Sequence, residues 1–254
     1  MNLELEFLGT ADARRVPVYG CRCRACERAR NDPRYVRRPC SALIRAEGYQ
    51  MMLDAGRTDL CETFAPGTIQ SVLVTHYHMD HVMGLFHLRW GAGHTLPVHG
   101  PDDPDGCDDL YKHPGILQFQ PPLAPFVPTD IGPFTVTPLP LNHSKPTLGY
   151  GIEYRGIRLA YLTDTVGLPD PTTAWLQQSP LALMVLDCSV PPKPNPPRNH
   201  NDLNLALALA EQIRPEKTLL THLGHQLDDY LMSAPELPDG VEVAFDGRVV
   251  ELGS

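Results

Sequence analysis

The sequence predicts a single-domain α/β fold, and three observations carry that expectation. The chain has 254 residues, a length at which α/β and two-sheet folds run undivided and bury a substantial core. Short, apolar, β-rich runs recur along it, and several of them end on a histidine or an aspartate. The 27 prolines are scattered through the predicted loops, and no repeat, linker or low-complexity tract divides the chain.

Composition narrows the function classes. Lys and Arg total 21 against 30 Asp and Glu, a formal net charge of -9, so a broad basic surface for duplex nucleic acid is not expected. No apolar run approaches the roughly 20 residues that span a bilayer, so no membrane partner is expected either. The first residues alternate apolar and acidic side chains, which reads as a strand rather than a signal peptide. Seven cysteines, three of them crowded into Cys21, Cys23 and Cys26, fit a reduced compartment with thiolate chemistry better than a disulfide framework. The expected location is cytoplasmic.

Leu3, Leu5 and Phe7 predict a half-buried first strand ending at Gly9-Thr10. Nine arginines then fall before residue 40, interleaved with the three cysteines. Three thiolates chelate zinc, and a closed tetrahedral site takes four protein groups. Cys40, Cys61, Cys107, Cys188 and His225 are the candidates for the fourth. His225 is favoured, because a Cys3His site would tie the basic loop, about residues 20–40, to the C-terminal region. It would staple a segment with too few apolar residues to pack itself. Ser41 to Asp54 predicts a hairpin turned at Glu47-Gly48.

The run Val72-Leu73-Val74-Thr75 predicts a buried strand, with a helix starting close behind Gly84. Between them lie His76, His78, Asp80 and His81, four potential ligands within six residues. On a tight loop at a strand's carboxyl end, His76 and His78 can aim at one point while Asp80 and His81 aim at a neighbouring one. That spacing suits two adjacent ions better than one, and imidazole with carboxylate accepts zinc, manganese, iron or nickel. The segment resembles the His-x-His-x-Asp-His signature of the metallo-β-lactamase superfamily. The resemblance implies an αββα sandwich and metal-assisted hydrolysis at its edge. It also implies that Asp54, in Leu53-Asp54-Ala55-Gly56, is a buried carboxylate orienting the ligand loop rather than a ligand.

Further along, a helix is expected over Leu85 to Trp90, and Asp102 to Asp109 reads as a solvated acidic face or helix start. The strand from Phe134 delivers His143 at its end. A hairpin from Leu148, turned at Arg155-Gly156, ends in Asp164, a carboxylate placed to bridge two ions. The strand Leu181 to Cys188 leads through a proline-rich loop to His200, and Asn201 or Asp202 can cap a helix over Leu203–Ile213. A last core strand ends on His222, and Val241 to Leu252 predicts a hairpin turned by Asp246-Gly247.

These donors partition into His76, His78 and His143 on one ion and Asp80, His81 and His222 on the other, with Asp164 between. The set matches the superfamily's dinuclear complement residue for residue. Two such ions can hold a bridging hydroxide as nucleophile and polarise a phosphoryl oxygen. A phosphodiester also needs a proton for its leaving alkoxide, and His200 is the candidate general acid, with Asp187 to hold its tautomer. Ser144, Lys145 and Arg198 adjoin these groups and are the candidate phosphate contacts.

Beyond the superfamily, the chain resembles the PhnP family of phosphoribosyl cyclic phosphate phosphodiesterases of the bacterial carbon-phosphorus lyase pathway. The marks are Cys21-x-Cys23-x-x-Cys26, Thr75-His-Tyr-His-Met-Asp-His81, Leu88-Arg-Trp-Gly91, Gly106-Cys-Asp-Asp-Leu110, Pro138-Leu-Pro-Leu-Asn-His-Ser-Lys145, Pro197-Arg-Asn-His200 and Thr221-His222. It departs at Ala11-Asp-Ala-Arg14-Arg15, where that family has a more glycine-rich turn. The likeness implies opening of 5-phospho-α-D-ribose 1,2-cyclic phosphate to α-D-ribose 1,5-bisphosphate in phosphonate catabolism. It further implies a manganese-type dinuclear centre, with zinc or nickel as the other ions the ligands admit, a separate structural zinc, His200 as acid, and a homodimer. Three rival readings remain: a ribonuclease Z-like enzyme for another cyclic or nucleotide phosphodiester, a non-hydrolytic relative from pyrroloquinoline quinone biosynthesis, and a zinc-stapled interaction module docking through its basic loop.

Overall fold

The computed structural model describes residues 2–195 and 198–253. In chain order its strands are β1 (Leu3–Gly9), β2 (Ser41–Ala46), β3 (Tyr49–Leu53), β4 (Ser71–Leu73), β5 (Leu96–His99), β6 (Leu117–Phe119), β7 (Thr129–Ile131), β8 (Phe134–Pro140), β9 (Leu148–Tyr154), β10 (Ile157–Leu162), β11 (Leu183–Asp187), β12 (Thr218–Thr221), β13 (Val241–Val243) and β14 (Val249–Leu252). The helices are α1 (Arg24–Asn31), α2 (Leu60–Thr63), α3 (Met79–Val82), α4 (Leu85–Leu88), α5 (Asp108–Lys112), α6 (Asp170–Leu176), α7 (Leu203–Ile213) and α8 (His225–Leu231).

Two seven-stranded sheets result, in the orders β14-β1-β2-β3-β4-β5-β6 and β13-β12-β11-β10-β9-β8-β7. Each is antiparallel at one end and parallel at the other. Strand alternation decides how they stack. Leu3, Leu5, Phe7, Ile44, Met51 and Leu53 from the first sheet meet Val136, Tyr150, Leu159, Tyr161, Val185 and Leu219 from the second in one buried core. The intervening residues face outward under helices: Leu43 and Met52 pack with Leu60, Val82 and Leu85, and Ala160, Leu162, Met184 and Leu186 pack with Leu203, Ala206 and Leu209. This is the expected αββα sandwich.

The tail departs from expectation. β13 and β14 are not partners: β13 lies parallel to β12 in the second sheet, and β14 lies antiparallel to β1 in the first. The chain crosses between the sheets through Asp246-Gly247, which is pinned rather than left as a free turn. Gly247 N donates to the Phe7 carbonyl at 2.7 Å, and the Asp246 carboxylate accepts from Thr10 Oγ1 and Arg38 N at 2.8 Å each. The hairpin at Glu47-Gly48 is as expected, with both residues at positive φ, 53° and 81°. The helix expected over Leu85 to Trp90 is shorter, and a turn of helix, α3, precedes it. The acidic stretch is not all solvated either: Asp103 is buried and accepts from Lys145 Nζ at 3.2 Å.

The backbone of Ala55-Gly56 cradles α3. Ala55 N donates to the His81 carbonyl and Gly84 N to the Ala55 carbonyl, both at 2.7 Å. A Cβ on Gly56 would stand 1.9 Å from the Asp80 carbonyl oxygen, so only glycine fits there. Gly56→Ala is therefore expected to displace α3 and cost about 1–3 kcal/mol of stability by overpacking. Metal titration should show the Asp80–His81 half weakened at least tenfold, and unaltered binding would mean that the contact is not tight.

Candidate metal centre and active site

Each expected ligand stands at the carboxyl end of a strand or just beyond it, along one edge of the sandwich. β4 leads to His76 and His78, α3 carries Asp80 and His81, β8 leads to His143, β10 to Asp164 and β12 to His222. Asp80 and His81 thus lie on a helical turn instead of a loop, which puts both on the face toward His222.

The seven side chains converge as two overlapping groups, one of His76, His78, His143 and Asp164 and one of Asp80, His81, Asp164 and His222. In the first, His78 Nδ1 lies 2.8 Å from His76 Nε2 and 3.1 Å from His143 Nε2. Asp164 Oδ2 is 3.5 Å from His76 Nε2 and 3.6 Å from His143 Nε2. In the second, Asp80 Oδ2 is 3.5 Å from both His81 Nε2 and His222 Nε2. Asp164 joins the halves, its Oδ2 3.4 Å from His81 Nε2 and its Oδ1 3.0 Å from His222 Nε2.

This donor set fits divalent cations. His81 Nε2, His222 Nε2 and Asp164 Oδ1 are buried without a hydrogen-bond partner among the described residues, a costly state unless a cation lies between them. The electrostatics agree. Burial opposes charge on His81 and His222, yet the carboxylates beside them hold His81 well above the ordinary imidazole value and His222 at about 9. Burial would raise Asp164 and Asp80, but the neighbouring imidazoles pull both carboxyls below their usual range. Without ions, the second half balances its carboxylates by drawing in protons. His76, His78 and His143 are all lowered, chiefly by burial and then by neighbouring imidazoles acting on His76 and His78, so they offer neutral nitrogens. Metal ions bind ionised carboxylates and neutral imidazoles, so a cation entering the second half takes the place of the protons on His81 and His222.

Asp54 stands behind the first sheet's ligands, fully buried and at a positive φ of 55°. It accepts from Thr75 N and His81 Nδ1, both at 2.8 Å. It thereby orients His81 with Nε2 toward the cluster, as expected of a carboxylate that is not itself a ligand.

His200 lies against both halves, its ring centroid 5.2 Å from that of His143 and 4.9 Å from that of His222. Its Nδ1 donates to Asp187 Oδ2 at 2.8 Å. Burial opposes charge on His200, but Asp187 outweighs it and raises the imidazole above its ordinary value. Asp202, of the two candidates, caps α7 through Leu205 N; Asn201 instead accepts from Gly167 N and donates to the Asp187 carbonyl, pinning the loop that carries His200. Ser144 and Arg198 are exposed beside His143 and His200, while Lys145 is paired with Asp103. Pro197, of the Pro197-Arg-Asn-His200 mark, lies outside the described residues. Sequence reasoning missed Ser189, which contacts Asp187 and His222, and the Asn199 carbonyl, which accepts from His143 Nδ1 at 3.1 Å. A serine and a backbone oxygen carry no motif that would have flagged them.

The second cluster is as expected. Sγ of Cys21, Cys23 and Cys26 lie 3.4, 3.5 and 3.9 Å from His225 Nδ1. The soft donors and their separations suit tetrahedral zinc. Around them the loop has only a small apolar cluster of Val16, Cys26 and Ala29 with a few half-buried neighbours. Cys26→Ser is therefore expected to lose one zinc per chain while the other ions stay. The unfolding midpoint should fall by roughly 4–8 °C, what about 2 kcal/mol amounts to at this size; an unchanged metal count and midpoint would rule the staple out.

The sequence model of the beta-lactamase superfamily domain matches residues 58–223, a span that holds all seven donors. An octanoyltransferase of Porphyromonas gingivalis is 27% identical over 257 residues, covering 95% of this chain and 50% of that protein. The chain spans half the length or less of the curated relatives it matches. Among solved structures, a diphosphatase from the PhnP family is 24% identical and superposes over 99% of this chain and 98% of that one with a TM-score of 0.83. Human tRNase Z, short form, is 18% identical over 99% of this chain and 100% of its own, with a TM-score of 0.72.

Proposed function

The chain belongs to the beta-lactamase superfamily, and from that membership and the seven convergent donors we propose that it is a dinuclear metal-dependent phosphodiesterase. Its proposed reaction is the opening of 5-phospho-α-D-ribose 1,2-cyclic phosphate to α-D-ribose 1,5-bisphosphate. The observation that carries the reading is the His200–Asp187 pair standing over a complete ligand set.

Divalent ions held by the two halves, manganese in this proposal, would polarise the phosphoryl group and supply a water of lowered pKa. The chain's own groups do the rest. Asp187 binds His200 Nδ1–H, which leaves Nε2 as the atom that gives a proton to the leaving oxygen. The raised imidazole keeps that proton near neutral pH. A proton donor is needed when the leaving group is a sugar alkoxide and much less when it is a phosphate, so the pair favours a diester over the diphosphate that the PhnP-family neighbour's name indicates. The fold shared with tRNase Z supports the second reading, another cyclic or nucleotide diester cleaved by the same groups.

The interaction-module reading is weakened by charge pairing. Arg14, Arg24, Arg28, Arg30, Arg34, Arg37 and Arg38 all pair with carboxylates, leaving little free positive charge on the N-terminal loop.

Phosphorus NMR of the manganese-loaded protein tests the proposal. The ribosyl 1,2-cyclic phosphate should be consumed faster than 2′,3′-cyclic nucleotides or a nucleoside diphosphate. A preference for the nucleotide diester would move the substrate to the second reading, and hydrolysis of the diphosphate alone would reject both.

A further inference from the structure

The Ser189 hydroxyl stands where the two working parts of the site meet. Its Oγ lies 2.8 Å from Asp187 Oδ1, 2.9 Å from His222 Nδ1 and 2.8 Å from the His222 carbonyl oxygen. All three residues are buried, so bulk water does not compete for these contacts. A hydroxyl has one proton to give and two lone pairs to receive with. The carboxylate and the carbonyl can only accept, which makes the imidazole the donor: His222 Nδ1–H points at Oγ. The lone pair of His222 is then left on Nε2, the atom facing Asp80 and Asp164. Ser189 in this way selects the tautomer that can bind a cation.

The His222 carbonyl competes with Asp187 Oδ1 for the one hydroxyl proton, and the charged carboxylate is the stronger acceptor; His222 itself sits at a positive φ of 61°. A non-glycine residue holds that conformation only where its surroundings fix it. On its other side, Ser189 is the one side-chain donor to Asp187 Oδ1 among the described residues, while Oδ2 receives His200 Nδ1 at 2.8 Å and Thr165 N at 2.9 Å. Hydrogen bonds therefore run unbroken from His222 through Ser189 and Asp187 to His200. The two rings at the ends are stacked at 4.9 Å and 21°.

We propose that Ser189 is a positioning residue that couples the His222 half of the metal centre to the His200–Asp187 proton donor, so that ion binding and acid orientation depend on one hydroxyl. The proposal rests on the dinuclear phosphodiesterase reading. Without the hydroxyl, His222 Nδ1–H has no acceptor, and the Asp187 carboxylate can turn about its last torsion and carry His200 with it.

Ser189→Ala removes the group without adding volume, and Ser189→Thr restores a hydroxyl. Manganese affinity is read by competition with a chromophoric chelator, with no substrate present. Turnover is read on the ribosyl 1,2-cyclic phosphate and on bis(4-nitrophenyl) phosphate, whose leaving group needs no proton. The Ala variant should bind one of its two labile ions about 10–100-fold more weakly. At saturating manganese it should lose at least tenfold more rate on the cyclic sugar diester than on the aryl diester, and Thr should recover both. A change in only one of the two readouts would break the coupling, and a lower unfolding midpoint with both unchanged would reduce Ser189 to packing. Failure of the wild-type protein on every diester would end the phosphodiesterase reading instead, while the chelator competition would still judge the His222–Ser189 link.

Discussion

Asp164→Ala is expected to lower phosphodiester hydrolysis by about 10³-fold or more, equivalent to about 4 kcal/mol of transition-state stabilisation. Asp164 is the one side chain shared by both ligand groups, and its two oxygens face His81 and His222 at 3.4 and 3.0 Å. Removing it takes a buried negative charge away from two imidazoles and from whatever cations replace their protons. Ion binding should then fail at both halves, because each loses a donor and the pair loses the charge that lets two cations approach. Asp164→Asn keeps the shape and drops the charge, which separates electrostatics from packing. Metal content by mass spectrometry should fall by two per chain, with the zinc at the cysteine cluster untouched. Retention of both labile ions with rates within tenfold of wild type would show that Asp164 does not bridge.

How much of this was readable beforehand depended on how local the signal was. The quartet from His76 to His81 was legible because four donors in six residues need no partner to be noticed. His143, Asp164 and His222 were legible because each follows an apolar run whose β character is plain, so the fold had only to bring strand ends together. α3 was not, since the four residues Met79–Val82 are too short for helical periodicity to register. The tail departs from the local pattern for a different reason. Two short alternating runs around Asp-Gly satisfy the local rule for a hairpin, but β12 and β1 each offered an edge, and pairing across sheets is a tertiary choice that no window of sequence contains.

One regularity emerges only in three dimensions. Each sheet ends a strand on a buried aspartate that serves an imidazole: Asp54 after β3 takes His81 Nδ1 and Thr75 N, and Asp187 at the end of β11 takes His200 Nδ1 and Thr165 N. Both threonines adjoin metal donors, His76 and Asp164. The same device aims a proposed ligand on one sheet and the proposed acid on the other. What differs is what the rest of the imidazole meets: the carboxylates of Asp80 and Asp164 at 3.5 and 3.4 Å from His81 Nε2, and the rings of His143 and His222 for His200.

His200→Ala follows from that difference and should act on chemistry rather than on metal binding. A positioned general acid contributes about 10²–10⁴ when the leaving group is a poor one. On the ribosyl 1,2-cyclic phosphate the loss should fall in that range. On bis(4-nitrophenyl) phosphate, whose nitrophenolate departs without a proton, the loss should be under about tenfold. Both ions should remain, because His200 is not one of the seven proposed donors: its Nδ1 is held by Asp187 at 2.8 Å and its ring stacks on that of His222. Asp187→Asn is the companion: it keeps His200 in place but removes the charge that raises its imidazole, so the same split should appear in weaker form. Equal losses on the two esters, or loss of an ion with His200, would assign the residue to substrate or metal binding and leave the leaving oxygen without a proton donor from this chain.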